Sequence, residues 1–259
     1  MESEGNRLAG QLLANRLESL GLEPLEGQTG FLLPFDQTVR IPGETSLTAI
    51  MEDRSRAELA FGRDYMFTGS STQIDGTVPV SSGGDTDPSA VMFIDLAAEG
   101  ELPSPGAFAT LVYMYDELRF SSLGVIDYGV HAGTPRAFMP YSVYDGISEA
   151  AALEIRYAFE DITAPIDNVA GVLPGEDRTR AVVLSAHSDG IGDQAGNRLP
   201  GALDNASGVI VLDRVLDRLA SAGERPPYDV IVAYTNAEEC GFTGAHDIVG
   251  AEYCGLVKR

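Results

Sequence analysis

The chain has 259 residues, 44% of them hydrophobic, and a net charge of −22 at neutral pH, which is enough for one large α/β domain or a domain with an insertion. With 39 acidic residues against 17 basic ones and a single lysine, Lys258, its surface repels phosphate backbones, so nucleic acid is excluded as a partner. No apolar run approaches the roughly 18 residues of a membrane span.

The acidity is read as a solvated surface in preference to a patch for a basic partner. The opening MESEGNRLAG has neither the basic start nor the apolar stretch of a signal peptide, and the compartment is left open. Two cysteines, Cys240 and Cys254, are too few for a disulfide framework. They are expected to form a single bridge or to remain as two buried thiols.

In chain order, residues 6–20 set Leu8, Leu12, Leu13, Leu17 and Leu20 on one expected helical stripe, closed by Gly21 and Pro24. GFLLPF and QTVRIP read as strand material. Residues 62–149 hold short β-like runs (TVPV, AVMFIDL, FATLVYMYDEL, LGVIDYGV) separated by SSGGDTDPS, ELPSPG and HAGTP, whose Gly, Ser and Pro mark turns. This segment is expected to be a mostly β insertion with one or two helices.

From about residue 150 the pattern alternates between strand and helix. ALEIRYAFED alternates as a strand does, and NVAGVLPG reads as strand then turn. AVVLSA (181–186) is a continuous apolar run, expected to be a strand buried on both faces. Residues 206–222 carry Val209, Leu212, Val215, Leu216 and Leu219 at helical spacing before Gly223, and DVIVAY (229–234) is a second buried strand. The expected fold class is α/β, a mixed, largely parallel sheet flanked by helices with a mostly β inserted domain.

Three motifs stand at the ends of these elements: His187-Ser188-Asp189 after one strand, Asp204-Asn205 before a helix, and Glu238-Glu239 after the next strand. Sites in open α/β sheets collect at the carboxyl ends of strands. If the two strands are parallel neighbours, one imidazole and several carboxylates meet at one sheet edge. That is the donor set of a hydrolytic zinc site, with His187 giving nitrogen and Asp204 and Glu239 giving oxygen. Asp189 is placed to hold the other ring nitrogen. Glu238 is left to take a proton from water that zinc acidifies towards a pKa of about 7.

With NVAGVLPG, VVLSAHSDG, GALDNASGV and NAEECGFTG in this order, the segment from Asn168 to Val249 resembles the M28 family of zinc peptidases, which are mostly aminopeptidases with two metals bridged by an aspartate. The spacings agree, with 17 positions from His187 to Asp204 and 35 from Asp204 to Glu239. The resemblance implies a zinc exopeptidase-like domain over 1–61 and 150–259 and a protease-associated insertion over 62–149. It implies two Zn2+ ions, with His187 as a terminal ligand of one, Glu239 as a terminal ligand of the other and Asp204 as the bridge. A cis peptide is implied between Asp204 and Asn205. Glu238 becomes the general base and Asp189 the residue that orients His187. The implied reaction is attack of an activated water on the peptide carbonyl next to a free amino terminus, so the partner is a peptide or protein substrate.

The family's two remaining ligands, an aspartate and a histidine, lie downstream of the Glu-Glu pair. Here only 20 residues follow Glu239. His246 and Asp247 fall on the expected helix after that pair and are read as facing away, while His131 lies in the insertion. The expectation is therefore an incomplete zinc peptidase domain of weak activity. The alternatives on the same fold are a non-catalytic binding protein and a glutaminyl cyclase. Asn205-Ala206-Ser207 matches a glycosylation pattern and is set aside as coincidence, as is the near-dinucleotide run at Gly190-Ile191-Gly192.

Overall fold

The structure is a computed structural model and describes residues 3–67, 72–81, 86–95, 108–117 and 134–250. In chain order it contains helix α1 (Glu4–Ser19), then strands β1 (Leu32–Met51), β2 (Arg56–Leu59), β3 (Met66–Phe67), β4 (Ile74–Pro79), β5 (Asp87–Asp95), β6 (Phe108–Tyr115) and β7 (Arg136–Pro140). Helix α2 (Tyr141–Tyr144), strands β8 (Ala150–Leu173), β9 (Asp177–His187), β10 (Gly192–Gln194) and β11 (Asn197–Leu199), and a tight turn (Ala202–Ala206) come next. Helix α3 (Ser207–Ala220), strand β12 (Tyr228–Thr235) and helix α4 (Thr243–Gly250) complete the series. LGVIDYGV, His131 and Cys254 lie outside the described residues.

Two compact units are present: Met1–Thr38, Thr163–Gly192 and Leu199–Arg259 in one, Val39–Ile162 and Asp193–Arg198 in the other. In the first unit the strand order is β1–β8–β12–β9, with β12 antiparallel to β8 and parallel to β9. Alternation along β12 separates two apolar layers. Val230, Val232 and Tyr234 pack with Leu13 and Leu17 of α1 and Leu212 and Leu216 of α3. Ile231 and Ala233 pack with Leu33, Ala170, Val172 and Ile248.

Helix α1 begins where Ser3 Oγ accepts the Asn6 N–H at 3.1 Å, and it is followed by Gly21 at φ +75°. Its inner face corrects the leucine stripe. Leu8 and Leu12 are 51% and 69% exposed, whereas Leu13, Ala14 and Leu17 are buried. At 3.6 residues per turn Leu8 lies half a turn from Leu17. The stripe facing the sheet is Gly10-Leu13-Ala14-Leu17, half of it made of small residues, and a Cβ on Gly10 would stand 3.9 Å from Leu32 and Val169 side chains. On the solvent side Arg16 joins α1 to α3 through Asp213 at 2.7 Å and Asp217 at 2.8 Å.

The reading of AVVLSA as a strand buried on both faces is also corrected. Strand β9 ends the strand order, and Val182 and Val183, on opposite faces, are 49% and 48% exposed. A fully buried valine contributes about 1.5–3 kcal/mol, so half of that is forgone at each position. The strand buried on both faces is β12, in which seven of eight residues are buried.

The second unit contains β2–β1–β8–β4 and a second sheet, β3–β7–β6–β5, in which β5, β6 and β7 are parallel. Its core includes Leu47, Tyr65, Phe67, Val112, Met139, Leu153 and Tyr157, with Phe67 stacked on Tyr157 at 4.2 Å. Among its described residues α2 is the one helix.

At the turn between β8 and β9, the buried Asp229 accepts the Gly175 N–H at 2.7 Å and stands 3.4 Å from Arg178 Nε. A Cβ on Gly175 would lie 2.2 Å from the Tyr228 carbonyl carbon. Asp229→Ala should therefore lower unfolding stability by about 1–3 kcal/mol. Asp229→Asn, which keeps the acceptor, should cost less, and Gly175→Ala should be at least as damaging as the alanine variant. Urea midpoints of the three variants check this order.

Candidate metal centre

Strands β9 and β12 run parallel and in register to their ends, where Thr235 pairs with His187 and the Ser188 N–H donates to the Thr235 carbonyl at 2.8 Å. The residues that follow each strand therefore leave at the same carboxyl edge. After β9 come Ser188 and Asp189, and after β12 come Asn236 to Glu239. Asp204 reaches the same place from the turn that starts α3.

That turn is not helical at Asp204 (φ −119°, ψ 92°), and the Asp204–Asn205 peptide is cis, as the resemblance implies. Asn205 Oδ1 accepts the Gly208 N–H at 3.1 Å and so serves one of the otherwise open N–H groups of α3. Asp204 is left free for other work. Its Oδ1 lies 2.9 Å from His187 Nε2.

The turn carrying Glu238 and Glu239 has three left-handed residues, Ala237 (φ +54°), Gly241 (φ +89°) and Phe242 (φ +61°). The Glu238 carbonyl accepts N–H bonds from Gly241 and Phe242, both at 3.0 Å. Asp189 holds the turn from the β9 side: its buried carboxylate accepts the Glu238 N–H at 3.2 Å and the Glu239 N–H at 3.3 Å. The same carboxylate stands 3.5 Å from His187 Nδ1, beyond a well-formed hydrogen bond. Glu238 Oε2 is 3.8 Å from His187 Nε2.

The charge balance is lopsided. Burial holds the Glu239 carboxyl above the ordinary carboxylate range, and the charges of Asp204, Glu238 and Asp189 push it further the same way, with His187 alone opposing. Among the described residues no three His, Cys, Asp or Glu side chains already stand as a closed cation cage. The donor chemistry nonetheless fits a divalent cation: one imidazole nitrogen and several carboxylates converge, and their mutual repulsion is what a cation relieves. His187, Asp204 and Glu239 are the residues that would hold it.

The structure thus brings together His187, Asp189, Asp204, Glu238 and Glu239. Of the remaining sequence candidates, His246 is exposed on α4, and Asp247 accepts from Asn168 Nδ2 at 3.3 Å and is held above the usual carboxylate range by burial. Cys240 is buried against Ile166 and Ala237.

Three asparagines behind the Glu-Glu turn were not singled out by the sequence. Asn168 is fully buried in β8 and accepts from the Asn236 N–H at 2.9 Å. Asn236 exchanges amide bonds with Asn6 of α1 at 3.0 and 3.2 Å, and its Oδ1 accepts the Ala237 N–H at 2.9 Å. The available signal was a polar side chain at the head of the apolar run NVAGVL, since a buried polar group needs partners.

Residues 168–253 match the model of peptidase family M28. The curated "Probable glutamate carboxypeptidase LAMP1" of Arabidopsis thaliana is 35% identical over 101 residues, which is 38% of this chain and 14% of that protein. The fold matches the aminopeptidase from Aneurinibacillus sp. strain AM-1 (TM-score 0.69, 16% identity, 99% of this chain and 63% of that one). It also matches a zinc aminopeptidase from Bacillus subtilis (TM-score 0.63, 16% identity, 99% of this chain and 62% of that one). The chain spans less than two thirds of the length of these relatives. Residues 168–253, the stretch that matches the model of peptidase family M28, supply every residue of the cluster.

Proposed function

We propose that the protein is a zinc-dependent metallo-exopeptidase acting as an aminopeptidase on peptides with a free amino terminus. The observation that carries this reading is the convergence of His187, Asp204 and the Glu238-Glu239 turn at the carboxyl ends of two parallel strands, within the segment that matches the M28 model. In this reading His187, Asp204 and Glu239 would hold two zinc ions, His187 and Glu239 serving one each and Asp204 both. Residues 62–149 form a protease-associated insertion.

Zinc, when bound, supplies Lewis-acid polarisation of the substrate carbonyl and acidifies water. The chain's own residues do the rest. Glu238, partly exposed beside His187 Nε2, takes a proton at Oε2 from the attacking water and returns it to the leaving amine. Asp189, by bonding the Glu238 and Glu239 N–H groups and flanking the imidazole, fixes base and ligands against one another.

A second reading, a carboxypeptidase, is favoured by the 35% identity to the Arabidopsis protein. Peptides blocked at one end separate the two. Hydrolysis of C-terminally amidated peptides but not of N-acetylated ones supports the aminopeptidase, and the reverse supports the carboxypeptidase.

Glu238→Gln should reduce turnover by about 100-fold to 10,000-fold while leaving zinc content unchanged; equal activity in the variant overturns the assigned base. His187→Ala and Asp204→Ala should each lower zinc content measured by atomic absorption. A chelator should lower the melting temperature of the wild type and leave that of the His187→Ala variant nearly unmoved.

A further inference from the structure

We infer that Asn168 is a positioning residue for the Glu238-Glu239 turn, tying down both of its ends at once. This rests on the reading above for its catalytic consequence, though not for its structural one. The Asn168 side chain is fully buried in β8 and its hydrogen bonds are directed at both flanks of the turn. On the near side its Oδ1 accepts the Asn236 N–H at 2.9 Å, immediately past β12. On the far side its Nδ2 donates to the Gly244 carbonyl at 3.0 Å and to Asp247 Oδ2 at 3.3 Å, both on α4.

Residues 236 and 244 bracket the seven residues that include both glutamates. The path between them is an unusual one, with left-handed backbone at Ala237, Gly241 and Phe242, two of them carrying a Cβ that disfavours it. Such a path persists only where its surroundings over-determine it. Asp189 holds the turn at its middle, through the N–H groups of Glu238 and Glu239. Asn168 holds it at its ends.

The fit at the far end is close. A Cβ on Gly244 would stand 2.4 Å from Asn168 Oδ1 and 2.2 Å from the Asn236 carbonyl, and the Gly244 N–H donates to that carbonyl at 3.1 Å. Asn168, Asn236 and Gly244 therefore form one closed junction where the turn leaves the sheet and where it rejoins α4. An amide is required at position 168, because the junction needs an acceptor towards Asn236 and a donor towards Gly244 and Asp247. A carboxylate at 168 would face the Asp247 carboxylate and the Gly244 carbonyl with no donor.

The test uses the full chain with Asn168→Ala, Asn168→Asp and the pair Asn168→Asp/Asp247→Asn, which restores a donor–acceptor match between the two side chains. Leu153→Ala, a buried change in the other unit, serves as the control for general destabilisation. Three readouts are taken well below the melting temperature: hydrogen exchange of amides 236–244, zinc affinity by competition with a chromophoric chelator, and kcat and KM separately. Asn168→Ala and Asn168→Asp should speed exchange of the 236–244 amides and weaken zinc by about 10-fold or more. They should also lower kcat with KM little changed, and the double variant should recover part of each loss. Leu153→Ala should lower the melting temperature without these effects.

Exchange, zinc affinity and kcat like those of the wild type in Asn168→Ala would overturn the inference while leaving the zinc peptidase reading intact. A wild type that binds no zinc and hydrolyses no peptide would overturn that reading, and the exchange result would still decide the role of Asn168. An Asn168→Ala chain that fails to fold leaves the decision to the two aspartate variants, where absence of any rescue by Asp247→Asn overturns the inference.

Discussion

The pairing of β9 with β12 is the constraint on which the rest of the site depends. Parallel strands have evenly spaced, slanted hydrogen bonds, so two strands in register for seven residues must end together. That pairing runs from Asp229 beside Ala181 to Thr235 beside His187. One further bond, from Ser188 N–H to the Thr235 carbonyl, carries the register a step past the strands. The imidazole and the Glu-Glu turn are then neighbours by construction, although about 50 residues separate them in sequence, and Asp189 lies within reach of the N–H groups it holds.

Electrostatics oppose this arrangement. Asp189, Asp204, Glu238 and Glu239 share a small space with a single imidazole, in a chain already at −22. Burying or crowding carboxylates without a counter-charge is costly, and Glu239 registers that cost as a raised pKa. What keeps the groups in place is uncharged: backbone N–H bonds to Asp189, the Asn205 bond to Gly208, and the amides of Asn6, Asn168 and Asn236 behind the turn. Structural asparagines suit this role, since each offers a donor and an acceptor without adding to the negative charge.

The long strands show how neighbours override local signals. Pro34 and Pro42 each withhold a backbone N–H from the ladder, yet β1 runs without interruption from Leu32 to Met51. Strand β2 pairs only with Leu47–Ile50, so neither proline falls where it would remove a bond to β2. In α1 side-chain size misleads. Leu8 and Leu12 draw attention by size, but Gly10 and Ala14 face the sheet because a close helix–sheet approach needs small residues.

Much of the site was legible because its chemistry is local. His187, Asp189, Asp204, Glu238 and Glu239 each stand beside an element end that hydrophobic periodicity marks, and their order and spacing carry the family likeness. The α/β class and the parallel relation of AVVLSA to DVIVAY follow from the same periodicity. Tertiary structure alone decided which strand is central and which lies at the edge, because an apolar run reads the same whether it has one neighbour or two. It also decided that Asp189 grips the Glu-Glu turn more closely than the imidazole, and that Asn168 reaches across to Asn236, Gly244 and Asp247. Those bonds join residues 49 to 79 positions apart, and no pattern along the chain records which distant backbone groups a buried amide or carboxylate will meet.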